Sequence, residues 1–354
     1  MNERELSPED EKIRNRLISA VSKLAIEIGN EHRTPPSEQP ATLYHYTDAQ
    51  GLIGILTDAR LHVSRGVCLN DPNELAYGEG VVRAVLERRA QEFDKDEPTL
   101  LGYFNKAAAE FRGFSADPDE TRRGPHEVRL DPFVTSFSSV PDLLGLWAYY
   151  AREGGYCIGF RRDSLANLRD GGDKDVDRGR TPTQKGNVEK PFELRQIIYR
   201  EPEQRAWIVS VVERFEKLLG EDLKAEAEAA PGGAVGVAAR SIWLALRALS
   251  VQMKAPGFEA EQEWRLVSFL QEWVGGDEQS VADAKRMRFR RRGGRIIPYL
   301  RAAFEPGDAP ICSITSGPTV DPRIAKDSIT RILKSNGYPW KDIDVRASAI
   351  TLRE

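Results

Sequence analysis

The stretch Tyr44-His45-Tyr46-Thr47 carries a histidine and a hydroxyl two residues apart, a spacing suited to sugar recognition. It predicts a strand that runs directly into a helix, and strand side chains alternate between two faces. His45 and Thr47 would share a face on which both could hydrogen-bond a sugar diol, while Tyr44 and Tyr46 point the other way. The structural alternative places both tyrosines in the core and bonds His45 to a backbone carbonyl, since isolated histidines are common in cores.

Two further hydroxyls, Ser136 and Ser138, would lie together on one face of a second predicted strand. In the helix predicted to follow, apolar residues recur from Leu143 at the spacing of a single helical face. This pattern is typical of a helix that packs on a sheet. An aromatic at the open end of that face, Trp147 or Tyr150, could instead stack on a flat ligand ring.

A third group, Glu259-x-Glu261-x-Glu263-Trp264-Arg265, leads into another predicted strand. Glu261, Glu263 and Arg265 would share one face, with Trp264 directed into the core. Carboxylates on one strand face repel each other, so Arg265 could neutralise one and leave another to face a cavity. The alternative is a solvated charged face, the usual outcome for such runs.

Residues 285–301 contain eight basic residues and no acidic one. Such a cluster can bind the phosphates of a nucleic acid or of a dinucleotide. It could equally form a charged hairpin that offsets the acidic segment 257–263. The arginines that would contact nucleic acid are Arg286, Arg288, Arg290, Arg291 and Arg292.

Composition limits the classes of function. The chain has 354 residues and a net charge of -4, so any nucleic-acid surface must be local. Three widely spaced cysteines and four histidines without metal-ligand spacing argue against a disulfide framework and a zinc site. Without a signal peptide or an apolar run of membrane length, we expect a soluble cytoplasmic protein. Phosphate-loop, dinucleotide-fold and nucleophile-elbow motifs are absent.

The order of predicted elements indicates an α+β fold, because strands occur both singly and in runs. Residues 1–40 are predicted to form an N-terminal helix and linker, and residues 41–354 one domain. Two helices near 201–254 would be inserted into this domain. The stretch 161–190 is predicted to be a surface loop.

The motifs occur in an order that resembles a bacterial family of domains of unknown function, number 2971. The resemblance covers nearly all of 41–354 except the inserted helices. The motifs that carry it are L-Y-H-Y-T…G-L-x-G-I-L (43–56), L-N-D-P-x-E-L (69–75), S-F-S…D-L-L-x-x-W-x-x-Y…G-x-C-I-G-F (136–160), F-x-x-E-x-E-W-R-L (258–266), R-I-I-P-Y (295–299) and I-x-S-I-x-S-G-P-T…A-K-x-S (311–328).

That family is similar in arrangement to ADP-ribosyltransferases of the His-Tyr-Glu type. The resemblance implies a split antiparallel sheet that grips NAD, with flanking helices. It implies that His45 bonds a ribose and the nicotinamide amide, that Tyr150 stacks on nicotinamide, and that Glu263 lies at the transferred ribose. The remaining residues expected around NAD are Tyr46, Thr47, Asn70, Asp71, Ser136, Ser138, Trp147 and Arg265.

The function implied is NAD-dependent ADP-ribosyl transfer or NAD glycohydrolysis, with NAD as substrate and without a metal. The acceptor would be a protein or a nucleic acid, and a toxin or anti-phage role follows by family analogy alone. The alternative is a non-catalytic module that binds nucleotide or nucleic acid.

Overall fold

The computed structural model of the chain forms two compact units. The helical unit comprises Met1–Arg33, Asp71–Arg123 and Ile198–Pro256, and the sheet unit comprises Thr34–Asn70, Gly124–Ile197 and Gly257–Glu354. The residues described are 39–69, 74–93, 128–151, 154–171, 192–222, 231–273, 285–308 and 310–351, with scattered helical positions within 12–28 and 102–108.

Helices and strands both contribute to the described part, which confirms the α+β class. The α-helices are α1 (Ala49–Asp58), α2 (Glu74–Phe93), α3 (Leu144–Tyr150), α4 (Arg162–Leu165), α5 (Glu201–Lys217), α6 (Pro231–Ser250) and α7 (Pro322–Ser335). The strands are β1 (Thr42–Thr47), β2 (Arg60–Arg65), β3 (Val128–Ser138), β4 (Tyr156–Arg161), β5 (Arg169–Asp170), β6 (Glu193–Gln196), β7 (Glu263–Trp273), β8 (Arg288–Arg292), β9 (Arg295–Ala303), β10 (Ile311–Ser316) and β11 (Asp344–Ala347).

The strands form one mixed sheet of the order β11-β10-β4-β1-β3-β2-β9-β5, with β7 pairing β3 and β6, and β8 pairing β9. All pairs are antiparallel except β10 with β11. β1 pairs with β4 along its whole length, but with β3 only at Tyr44 opposite Ser138. The sheet therefore opens between β1 and β3 beyond Tyr44.

The sheet is covered by helices on both faces. On the first, here the α1 face, Leu52 and Leu56 of α1 and Ile329 of α7 pack against strand residues such as Leu43 and Ile158. On the second, here the α3 face, Leu146 and Trp147 of α3 pack against Tyr46 and Cys157. The period-two alternation of β1 produces this division, because Leu43 and Tyr46 belong to opposite faces.

Two helices of the sheet unit begin at aspartates whose side chains cap the first turn. Asp48 accepts a hydrogen bond from the Gly51 backbone N–H at the start of α1. Asp321 accepts from the second and third residues of α7, and Pro322 occupies the first position of that helix, as its sequence predicts.

In the helical unit, α2, α5 and α6 pack through apolar side chains such as Val81, Trp207 and Leu246. The expected helical pair near 201–254 is present as α5 and α6. Gly78 of α2 allows a close approach, since a β-carbon there would lie 2.2 Å from the Ser250 carbonyl oxygen.

The prediction of a surface loop over 161–190 is wrong for its first part. The chain forms α4 and β5 between 162 and 170. These short elements pair with or pack against regular strands, a context that local composition does not reveal. Residues 172–191 lie outside the described part, as does most of the expected N-terminal helix. Within the described residues, no helix combines the length and apolarity required to cross a bilayer.

Candidate functional site

One row of side chains crosses three neighbouring strands on the α3 face. Tyr44 of β1 lies opposite Ser138 of β3, which lies opposite Glu263 of β7. Directly opposed residues of antiparallel strands point to the same side of a sheet. Two interstrand spacings separate Tyr44 from Glu263, about 10 Å. The register therefore unites three segments that are far apart in sequence.

Glu263 is buried against Arg265, two residues along the same strand face. Their side chains are 3 % and 0 % exposed. Arg265 donates from Nε to Oε1 at 2.9 Å and from Nη2 to Oε2 at 3.2 Å. The preceding residue, Gln262, has a φ of 42°, in the left-handed region that non-glycine residues rarely adopt. The predicted neutralisation of a carboxylate by Arg265 thus falls on Glu263 itself.

The two serines use their polar atoms within the fold. Ser138 donates from Oγ to the Glu261 carbonyl at 2.6 Å and accepts from the Val140 backbone N–H at 2.9 Å. Ser136 offers its backbone carbonyl to His45. The Ser138 hydroxyl therefore fixes the turn that leads into β7.

His45 lies at the opening between β1 and β3. Its Nδ1 is 3.0 Å from the Ser136 carbonyl oxygen, and its ring centroid is 5.6 Å from that of Phe137. A carbonyl only accepts, so Nδ1 carries the proton. Burial, reinforced by Arg290, lowers the His45 pKa from its ordinary value, although the bond to Ser136 raises it. The ring is therefore neutral at pH 7, and Nε2 is a hydrogen-bond acceptor.

Tyr46 and Trp147 form part of the packing under α3. Tyr46 donates from its hydroxyl to the Val140 carbonyl and accepts from the Leu143 backbone N–H, each at 3.0 Å. Trp147 is 2 % exposed, donates from Nε1 to Asp142, and meets Tyr46 edge to face at 4.9 Å. A ligand could reach neither ring unless α3 moved.

The other residues expected around NAD have different environments. Tyr150, the last residue of α3, is half-buried against the cluster beneath that helix. Thr47 is half-buried, and a β-carbon on Gly51 would lie 2.0 Å from its Oγ1. Asn70 and Asp71 lie outside the described residues.

Strand alternation separates the expected histidine from the expected acid. His45 is on the α1 face with Leu43, whereas Glu263 shares the α3 face with Tyr44 and Ser138. Tyr150 also belongs to the α3 face, because it packs against the cluster beneath α3. The His45 ring lies at the opening between β1 and β3, where its Nδ1 bonds the Ser136 carbonyl.

Most arginines of the basic run are engaged by the fold. Arg286 pairs with Asp170, and Arg288 donates to backbone carbonyls of its own segment. Arg290 donates from Nη2 to the Ser64 hydroxyl at 2.9 Å. Arg291 and Arg292 are exposed near the turn of the β8–β9 hairpin. The run therefore forms a hairpin, as the structural alternative predicted, with an ion pair to Asp170.

The sequence motifs assign no site role to His62 or Tyr299, whose ring centroids lie 4.0 Å apart. Burial, followed by Arg290, lowers the His62 pKa to about 4. Tyr299 lies opposite both Ser64 and Arg288 in the sheet. Only the pairing of β2, β9 and β8 brings these residues together, and no local motif could have revealed it.

A cavity of about 310 Å³ lies elsewhere in the sheet unit, lined by residues of α4 and β5 and of the end of β9. None of the expected site residues lines it. In the described residues, no group of three or more histidine, cysteine or carboxylate side chains could hold a metal ion.

The geometry defines an α+β protein with a polar row on one sheet face and a histidine at a sheet opening. Residues 146–266, about a third of the chain, match the family model described as protein of unknown function (DUF2971). This segment includes Trp147, Tyr150 and the Glu263–Arg265 pair, so the resemblance is supported there. No curated protein and no solved structure matches the chain.

Proposed function

We propose that the protein binds NAD at the opening between β1 and β3 and cleaves its nicotinamide–ribose bond, by ADP-ribosyl transfer or by hydrolysis. The observation that carries this proposal is the row Tyr44–Ser138–Glu263, in which the sheet register unites the expected segments. The family resemblance supplies the substrate, and the row supplies a carboxylate on the α3 face, two strands away from β1.

The chemistry requires a fixed negative charge. Cleavage of a glycosidic bond develops oxocarbenium character at the anomeric carbon. Arg265 favours the ionised form of Glu263 and fixes its orientation. A preorganised carboxylate that faces the anomeric carbon would stabilise the developing charge.

Binding would use two side chains outside the row, those of His45 and Tyr150. His45 presents Nε2 as an acceptor for a ribose hydroxyl or for the nicotinamide amide. Tyr150 would provide the flat surface on which the leaving ring stacks. Both roles follow from the family resemblance, and the neutral state of His45 is compatible with the first.

A second candidate function is nucleotide binding without cleavage. The double hydrogen bond from Arg265 favours it, because a carboxylate that is already paired and 3 % exposed is not available to a substrate. The placement of His45 and Glu263 on opposite sheet faces favours it as well.

The basic hairpin supports nucleic acid as the acceptor. Arg291, Arg292 and Arg295 are exposed, and Phe289 on the same hairpin is 63 % exposed. Arginines contact phosphates, and an exposed aromatic ring can stack on a base. A salt-dependent gel shift with single-stranded oligonucleotide should weaken when the three arginines are changed to Gln. An unchanged shift would remove nucleic acid as the acceptor.

Two measurements on the full chain separate the first two candidates. Nicotinamide release from NAD reports cleavage, and calorimetric titration with NAD reports binding. Glu263→Gln should reduce release by about a hundredfold or more while it leaves NAD affinity nearly unchanged. Glu259→Gln, which removes an exposed carboxylate before β7, is the matched control and should behave as wild type.

The combined results of nicotinamide release and NAD binding distinguish the enzyme from the binding module. Release that depends on Glu263 supports the enzyme. NAD binding with no release, in wild type and variant alike, removes the enzyme and leaves the binding module. No binding and no release would overturn both candidates.

A further inference from the structure

Three basic side chains from different strands of the sheet interact electrostatically. They are His45 of β1, His62 of β2 and Arg290 of β8, and Arg290 acts electrostatically on both histidines. Arg290 is oriented by Ser64, and its Nε is buried without a hydrogen-bond partner in the described part of the chain. All three side chains are half-buried, so solvent reaches them.

The cluster is electrostatically unfavourable as it stands. Burial is the largest cause that lowers the pKa of all three groups. Arg290 lowers the pKa of both histidines further, and Arg292 lowers that of Arg290. For His62, the contributions of Arg290, Arg301 and His45 all oppose protonation. An anion bound at this position would favour the charged form of all three groups and so raise their pKa values.

Carboxylates of the protein do not fill this role. Asp48 and Asp58 act on the cluster from the two ends of α1, and Asp48 is committed to the Gly51 backbone N–H. Among the described residues, no carboxylate forms an ion pair with Arg290 or with either histidine. The charged groups around the cluster are Asp48, Asp58, Arg292 and Arg301.

We propose that Arg290, His62 and Ser64 form a phosphate-binding site for the diphosphate of a nucleotide. The fork of an arginine matches phosphate oxygens, and an unused Nε and a nearby hydroxyl add donors. Tyr299, stacked on His62, holds that ring in place. The site deepens the proposed function and rests on it for the identity of the nucleotide, but the phosphate chemistry stands on the cluster alone.

The first test is calorimetric titration of the full chain with ADP-ribose, inorganic pyrophosphate and adenosine. We expect ADP-ribose and pyrophosphate to bind and adenosine to bind much more weakly. Arg290→Gln should weaken ADP-ribose binding by at least about tenfold. Arg323→Gln removes the same charge from an exposed position on α7 and should change the affinity less than about twofold.

Thermal unfolding of each variant checks that the fold is retained. Arg290→Lys keeps the charge but loses the fork, so its affinity should fall between those of wild type and Arg290→Gln. This variant keeps the site testable if Arg290→Gln does not fold. Equal weakening by Arg290→Gln and Arg323→Gln would show a general charge effect and overturn the site.

The second test follows the pH. A bound phosphate raises the His62 pKa, so ADP-ribose should bind about fivefold more tightly at about pH 5 than at about pH 7. The diphosphate of ADP-ribose is a diester and does not titrate in this range. His62→Gln should remove most of the dependence, and a dependence that persists in this variant would contradict the role of His62.

The outcomes remain distinct from those of the cleavage assay. ADP-ribose binding that depends on Arg290 without nicotinamide release supports the phosphate site and rejects the enzyme. Nicotinamide release that is insensitive to Arg290→Gln, with unchanged ADP-ribose affinity, supports the enzyme and rejects the phosphate site.

Discussion

Arg265 holds both carboxylate oxygens of Glu263, a residue only two positions away on the same strand. Such pairing is possible because residues i and i+2 of a strand point to one side. Both groups are buried, and Glu263 also lies opposite Ser138. The pair is thus part of the architecture of β7, whatever chemistry it performs.

Breaking this pair should destabilise the sheet unit strongly. Glu263→Ala leaves the Arg265 guanidinium buried without its counter-charge, at a cost of about 3–5 kcal/mol. Glu263→Gln combined with Arg265→Gln removes both charges and should cost less than Glu263→Ala. Urea unfolding of the variants measures the difference.

Arg195→Gln is the comparison for this experiment, because Arg195 lies opposite Arg265 but pairs with the half-exposed Glu193. We expect it to cost less than Glu263→Ala, because the Glu193 carboxylate left behind is 42 % exposed and stays hydrated. If Glu263→Ala unfolds at the same urea concentration as Arg195→Gln, the Glu263–Arg265 pair does not stabilise the sheet unit.

The hydroxyl of Tyr46 links β1 to the segment that precedes α3. Tyr46→Phe would leave the Val140 carbonyl and the Leu143 N–H without this partner, and we expect a loss of about 1–3 kcal/mol. Tyr149→Phe removes a hydroxyl from a side chain that is 69 % exposed and should be neutral. Equal unfolding midpoints for the two variants would show that the Tyr46 hydroxyl does not stabilise the fold.

Local sequence patterns predicted the parts of the fold that depend on neighbours along the chain. Alternation in β1 placed Tyr46 in the core opposite the side of His45, and Asp321 with Pro322 predicted the start of α7. The structural alternative predicted for His45, a bond to a backbone carbonyl, is the one observed. These features follow from strand period and helix capping.

Contacts that depend on strand order could not be predicted in the same way. The stacking of His62 on Tyr299 requires β2 to lie beside β9, although more than two hundred residues separate them in sequence. The separation of His45 from Glu263 likewise depends on the register of β1, β3 and β7. A shift of one residue would reverse the faces, and motif spacing does not specify that register.

Gly78 and Gly80 of α2 offer a matched test of close packing in the helical unit. A β-carbon at Gly78 would lie 2.2 Å from the Ser250 carbonyl oxygen. Because this oxygen belongs to the backbone and not to a flexible side chain, Gly78→Ala should cost about 1–3 kcal/mol. Gly80 has open space, and Gly80→Ala should gain about 0.5–1 kcal/mol from helix propensity. Opposite shifts of the thermal midpoint are expected, and a stabilising Gly78→Ala would contradict the packing of α2 against the end of α6.

His62 should make the sheet unit less stable as the pH falls. Its pKa is about 4 in the folded protein, below the ordinary value of 6.5, because burial and then Arg290 disfavour the charged ring. Between these values the unfolded chain binds more protons than the folded one, so the free energy of unfolding decreases as the pH falls through about 6.5. Because the ring is only half-buried, we expect a loss on the order of 1 kcal/mol at about pH 5. Urea unfolding at about pH 7 and pH 5 should show a smaller decrease for His62→Gln than for wild type, and an identical decrease would exclude His62 as the titrating group.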